Sequence, residues 1–216
     1  MGTRMNSVVP KQFLELAGQV VLMHPVNSFY SYDNSISIIV VLPADLISGW
    51  HSLCARYDFT IPHNVVEGGP KRYFSVKNAL DTIPAEGLVA IHDGARPLAG
   101  QTLISRAFDS AAVEGNAIPA IPVPDSVRMI TGSSNRPLDR NTLRRIQTPQ
   151  VFDTAMIKKA YSTGFHDSFT DDASVLESNR VKINLIEGDP FNIKITYPED
   201  LAIAEALIRH RCSQMR

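Results

Sequence analysis

The chain has 216 residues, 44% of them apolar and 20% charged, enough to bury a sizeable core as one domain. Its formal net charge of −1 excludes the broad basic field of a nucleic-acid or membrane-surface binder, so an anion site has to be local. Cys54 and Cys212 lie far apart without metal spacing, and no apolar run of roughly 18 residues or charged-then-apolar leader is present, so the expectation is a cytoplasmic protein with reduced cysteines.

The opening "GTRMNSVVPKQF" reads as a loop kept open by Pro10. Arg4 and Lys11 are placed to straddle a polyphosphate, Arg by planar hydrogen bonding and Lys as a point charge, although on charge alone a solvated basic terminus is the plainer reading. "ISIIVVLP" (36–43) is continuous and β-branched, as suits a strand covered on both faces. Helical spacing over 45–57 follows, then strand "HNVVEGG", helix "KRYFSVKNALDTI", strand "LVAIHD" and helix "LISRAFDSAAVEG". This alternation predicts an α/β fold with a doubly wound, mostly parallel, Rossmann-like sheet. Strand "NAIPAIPV" (116–123) continues it, with Pro119 and Pro122 pointing to an edge or a bulge.

Residues 125–147 break the pattern. Two short polar-apolar stretches flank a Gly-Ser-Ser-Asn turn, as in a β-hairpin too polar for the core, and carry Arg128, Arg136, Arg140, Arg144 and Arg145. Then come helix "DTAMIKKAYSTG", a short helix at "DDASVLES", strands "KINLIEG" and "FNIKIT", and a last helix opened by Pro198 with Glu199 and Asp200 in its first turn.

Ligands of open α/β sheets sit at the carboxyl ends of the strands, which directs attention to the residues following each one. Glu67-Gly68-Gly69 leads to Arg72 and Ser75; the glycines permit close backbone approach and the helix start offers free N–H groups, though a glycine pair alone reads first as a tight turn. "HDGARP" is the densest polar cluster: Asp93, Gly94 and Arg96 read as a functional loop, with Pro97 stopping it from relaxing into a helix and His92 as a satisfied strand-end histidine. Lys194 alternates with Ile193 and Ile195, so it either faces inward onto an anion or outward into water. Thr170, Asp171 and Asp172 read as a helix cap in preference to a metal site. No nucleophilic triad, paired carboxylates or His-rich metal spacing is apparent. A cation-rich set without an obvious base suits a nucleophile that is already an anion, such as a phosphate monoester.

Taken in order, "GTRMNSVVPKQF", "GGPKRYFSVKNAL", "IHDGARP", "PVPDSV", "DRNTLRRIQTPQVF", "TDDASVLE" and "EGDPFNIKITYPEDLAIAEAL" closely resemble the 2-C-methyl-D-erythritol 4-phosphate cytidylyltransferases, over nearly the whole chain. The resemblance implies a Mg2+-dependent enzyme that joins CTP and methylerythritol phosphate into CDP-methylerythritol with loss of pyrophosphate, usually as a homodimer. It implies that Arg4 and Lys11 meet the CTP phosphates, that Gly69 and Ser75 recognise cytidine, and that Asp93 and Arg96 meet the sugar phosphate. Arg140, Thr170 and Lys194 match groups that hold and orient methylerythritol phosphate, and Ser126 stands where the family often has threonine. Gly2, Gly94 and Thr148 complete the implied substrate-binding set, with no protein metal ligand. The segment at about 125–147 resembles the family's dimerisation arm, protruding from a single domain spanning 1–216. In the family an apolar strand and a small-residue run precede the first loop; the expectation is that this strand is missing from the chain and that Met1 is internal to the loop. Alternatives are a ribitol 5-phosphate cytidylyltransferase or an inactive truncated relative.

Overall fold

A computed structural model describes residues 9–214. Gly2 and Arg4 lie outside the described residues, and so does the expectation that the first strand is missing.

A single 3₁₀ turn at Lys11–Phe13 leads into a two-stranded antiparallel ribbon, β1 (Glu15–Leu16) and β2 (Gln19–Val20). Its turn uses Ala17 and Gly18, both in the left-handed region at φ 49° and 80°. Helix α1 (Met23–Tyr32) follows and buries Met23, Val26 and Phe29 at helical spacing; Pro25 falls in its first turn, where a missing N–H costs little. The chain-order reading of the sequence passed over this helix.

The next elements alternate as expected: β3 (Ile39–Leu42), α2 (Ala44–Arg56), β4 (Asn64–Glu67), α3 (Arg72–Asp81), β5 (Leu88–Ile91), α4 (Gln101–Glu114) and β6 (Asn116–Pro122). A hairpin of β7 (Val127–Thr131) and β8 (Ser134–Leu138) projects at the position of the expected arm. Then come β9 (Arg144–Ile146), β10 (Gln150–Asp153), α5 (Thr154–Tyr161), α6 (Asp172–Ser178), β11 (Leu185–Glu187) and α7 (Glu199–Gln214).

The α/β class stands, but the strands do not form one mostly parallel sheet: β3 and β4 make a pair of their own, and β5, β6, β9, β10 and β11 form a mixed five-stranded sheet. β3 and β4 pair in parallel, and so do β6 and β11, whereas β10 runs antiparallel between β5 and β6. β10 was not foreseen: "QVFD" is only four residues long, yet Val151 and Phe152 are completely buried and join Ala117 and Ile118 in the core. β6 is no edge either. It pairs with β10 at Asn116 and Ala117, with β9 from Ala120 to Pro122, and with β11 on its other side. Pro119 sits where the partner changes from β10 to β9, so its missing donor interrupts no ladder on that side, and its carbonyl accepts from the Gln147 N–H. The expected strand "FNIKIT" is not a strand: 192–196 is irregular, tied down by the Ile195 N–H to the Ala95 carbonyl at 2.8 Å.

Around these sheets the helices bury Trp50, Ile104, Ile157 and Leu176 completely. Trp50 keeps its indole N–H satisfied on His63 Nε2 at 2.9 Å. Among the described residues no helix is long and apolar enough to cross a membrane.

Candidate active site

The loop after β5 is the hub. The Asp93 N–H donates to Thr148 Oγ at 3.0 Å; that hydroxyl lies 3.1 Å from His92 Nδ1, and His92 Nε2 lies 3.0 Å from the Arg96 carbonyl. A carbonyl only accepts, so Nε2 carries the proton and Nδ1 accepts from Thr148. Burial pushes the His92 imidazole down to about 4, keeping the ring neutral and able to fill both roles. His92 is therefore the satisfied strand-end histidine the sequence suggested, and the Thr148 hydroxyl is spent on holding the loop.

This brace aims Asp93 at three cations. One carboxylate oxygen lies 2.8 Å from Lys194 Nζ and 3.5 Å from Arg96 Nε; the other lies 3.6 Å from Arg72 Nε. Burial by itself raises the Asp93 pKa, but Lys194 and then Arg72 more than reverse that and hold the carboxyl well below the usual range. Lys194 therefore does face an anion, carried there by an irregular segment and not by a strand. The Arg96 fork is occupied by backbone, with Nη1 donating to the Asn192 carbonyl at 2.8 Å. Lys11 arrives from the other end of the chain: its Nζ donates to the Ile195 carbonyl at 2.8 Å, one residue from Lys194.

The glycine loop is built by close approach. A Cβ at Gly69 would lie 2.3 Å from the Phe74 Cβ on α3, so only glycine fits, and the Gly69 N–H donates to Ser75 Oγ at 3.1 Å. At Gly94 an added Cβ would come 2.7 Å from a Leu22 methyl. Thr170 is exposed, its N–H donating to Ser174 Oγ at 3.0 Å, while Asp171 forms the capping box of α6.

Lys11, Asp93, Arg96 and Lys194 are thus drawn together, with Gly69 and Ser75 at the start of α3 beside Arg72. Two predicted residues stand apart: Ser126 is exposed at the root of the β7–β8 hairpin, and Arg140 donates to the Pro124 carbonyl there. Sequence reasoning missed the site's deepest charge. Asp172, with no exposed surface, accepts two hydrogen bonds from Arg72 at 2.8 and 2.6 Å and one from the Tyr161 hydroxyl at 2.6 Å. An acid in "TDDAS" is read first as a helix cap, and only the fold shows which of the two aspartates caps and which is buried.

An α/β fold that gathers Lys11, Arg72, Arg96 and Lys194 around the loop after β5, with its histidine held neutral, offers a site suited to an anionic, phosphate-bearing ligand. Over residues 1–210 the sequence matches the family of 2-C-methyl-D-erythritol 4-phosphate cytidylyltransferases (IspD), and the chain belongs to that family. It is 47% identical over 208 residues to the 2-C-methyl-D-erythritol 4-phosphate cytidylyltransferase of Azobacteroides pseudotrichonymphae, covering 96% of this chain and 94% of that one. The protein of that name from Bacteroides fragilis is 44% identical over 207 residues, with the same coverage. Among solved structures, the Thermus thermophilus 2-C-methyl-D-erythritol 4-phosphate cytidylyltransferase superposes with a TM-score of 0.80 at 31% identity, covering 93% of this chain and 94% of that one.

Proposed function

We propose that this chain joins CTP and 2-C-methyl-D-erythritol 4-phosphate into CDP-methylerythritol and pyrophosphate by neutralising and aligning two phosphorylated reactants. The observation that carries the reading is the convergence of Lys11 and Lys194 on the Ile195 segment beside Asp93. An oxygen of the methylerythritol phosphate attacks the α-phosphorus of CTP, and the bond to the β-phosphate oxygen breaks. The nucleophile is already anionic, so no proton has to be removed. Lys11, with Arg4, offsets charge growing on the CTP phosphates. Lys194, with Asp93, Arg96, Thr170 and Arg140, holds the sugar phosphate in line. Gly69 and Ser75 receive the cytidine.

Mg2+ would be carried in on the nucleotide phosphates, where it would supply charge neutralisation at the triphosphate.

The chain acts as one domain in the cytoplasm and as a homodimer through the β7–β8 arm, whose Met129 and Ile130 are 40% and 70% exposed. The arm then carries Arg140 and Ser126 to a neighbouring site. Pyrophosphate release from CTP with Mg2+, measured with methylerythritol phosphate and with ribitol 5-phosphate, tests the assignment. Faster turnover of ribitol 5-phosphate overturns the substrate, and absence of CTP binding by calorimetry overturns the reaction.

A further inference from the structure

Arg72 occupies the first position of α3 and faces two carboxylates. Its two terminal nitrogens are used on Asp172, leaving Nε directed at Asp93. Asp172 is fixed in turn: it is fully buried, holds the Tyr161 hydroxyl, and heads a helix clamped to β10 by Gln150, whose amide donates to Asp171 at 2.8 Å and accepts from the Ala173 N–H at 2.9 Å. A rigid line therefore runs from β10 through α6 and Arg72 to one oxygen of Asp93, while the other oxygen holds Lys194. Desolvation of the fully buried Asp172 offsets much of its attraction to Arg72, whose side chain stays 40% exposed, so the pairing gains little stability and its use here points to geometry.

We propose that Arg72, anchored by Asp172, is a positioning residue that fixes the Asp93 carboxylate and thereby presents Lys194 to the sugar phosphate. The inference rests on the reading of Asp93 and Lys194 as the methylerythritol phosphate subsite. Without the Arg72 contact, one Asp93 oxygen loses its cation, the carboxylate is held only on the side of Lys194 and Arg96, and the 43%-exposed Lys194 side chain faces a less firmly oriented partner.

The test is Arg72→Lys, which keeps the charge and helix propensity but cannot fork onto Asp172 and reach Asp93 together. Steady-state kinetics are measured for each substrate in the wild-type and Asp93→Asn backgrounds. The expected result is a loss of about 10- to 50-fold in kcat/KM for methylerythritol phosphate, carried mainly by KM, with the KM for CTP changed less than about threefold. In the Asp93→Asn background the same substitution costs less than about threefold, because the effect runs through Asp93. An equal loss in both backgrounds, or a loss carried by CTP, overturns the proposal. Wild-type activity of Asp93→Asn alone overturns the subsite reading instead. Should Arg72→Lys fail to fold, Asp172→Asn, which preserves shape and weakens the anchor, must show the same substrate-selective KM rise, and its absence likewise overturns the proposal.

Discussion

Lys194 and Asp93 meet at 2.8 Å although one belongs to an irregular segment before the last helix and the other to the loop after β5. The pair is locked because Ile195 is bonded to Ala95 through its N–H and to Lys11 through its carbonyl. Lys194→Ala and Lys11→Ala are each expected to lower kcat/KM about 100-fold or more, in the range seen when one preorganised charge-stabilising donor is removed. Thermal melts alongside the pyrophosphate assay check the assignment, since unfolding of both variants would make the lysines structural.

Asp172 and Asp167 both pair with cations of α3 or its approach, but in different surroundings. Asp172 has no exposed surface and Asp167 is 87% exposed. Asp172→Ala leaves the buried Tyr161 hydroxyl without its partner, while the 40%-exposed Arg72 can be hydrated, and is expected to cost about 1–3 kcal/mol. Asp167→Ala is expected to leave the urea midpoint unchanged, because an exposed pair is screened by water and salt.

Acid stability follows from His92. Its folded pKa of about 4 lies below the ordinary 6.5, so between these values the unfolded chain binds the proton that the folded one refuses. Stability therefore rises with pH through this window and falls as pH drops from 6.5 toward 4, by at most about 3.5 kcal/mol at about 1.4 kcal/mol per pKa unit. Burial lowers His24 as well and adds to the same slope. Asp93, favoured in its ionised form, contributes a further loss only below the ordinary carboxylate range. In melts from pH 4 to 7, His92→Gln, which can still donate to the Arg96 carbonyl, is expected to flatten the curve; an unchanged slope would show that the ring is not the sensor.

Gly69 has no room for a methyl group, whereas Gly132 has open space around it. Gly69→Ala is expected to push α3 off its loop, costing about 1–3 kcal/mol in stability as overpacking does, and to raise the KM for CTP. A melt and a CTP titration on the purified variant check both parts.

The arm can be tested at its most exposed apolar residue. Ile130→Glu is expected to keep the monomer's thermal midpoint while shifting the sedimentation mass from dimer to monomer and lowering activity, since Arg140 no longer reaches a neighbour. An unchanged mass would detach the hairpin from assembly.

Much of this architecture was legible. The continuous β-branched run at 36–43 marked β3, and the helices between strands showed their apolar spacing. The polar density of "HDGARP" marked the hub, because a charged loop at a strand end has few structural reasons to exist. What escaped reading has physical causes. α1 carries a proline and two serines that dilute its pattern, although Met23, Val26 and Phe29 keep the spacing. β10 has too few residues to show a period. Lys194 was placed in a strand because Ile193 and Ile195 flank it, yet that alternation is satisfied by Ile195 docking under the Asp93 loop without any ladder. Arg72 and Asp172 are a hundred positions apart, and nothing local announces such a pair.

The insertion of β10 between β5 and β6 also governs how the molecule comes into being. β5 waits about sixty residues of synthesis for the partner that joins it to β6, and such distant closures are slow and expose sticky intermediates. On the ribosome the Thr148 brace and the Ile195 segment emerge well after the Asp93 loop they hold, so a nascent chain cut before them carries Asp93 without its partner Lys194.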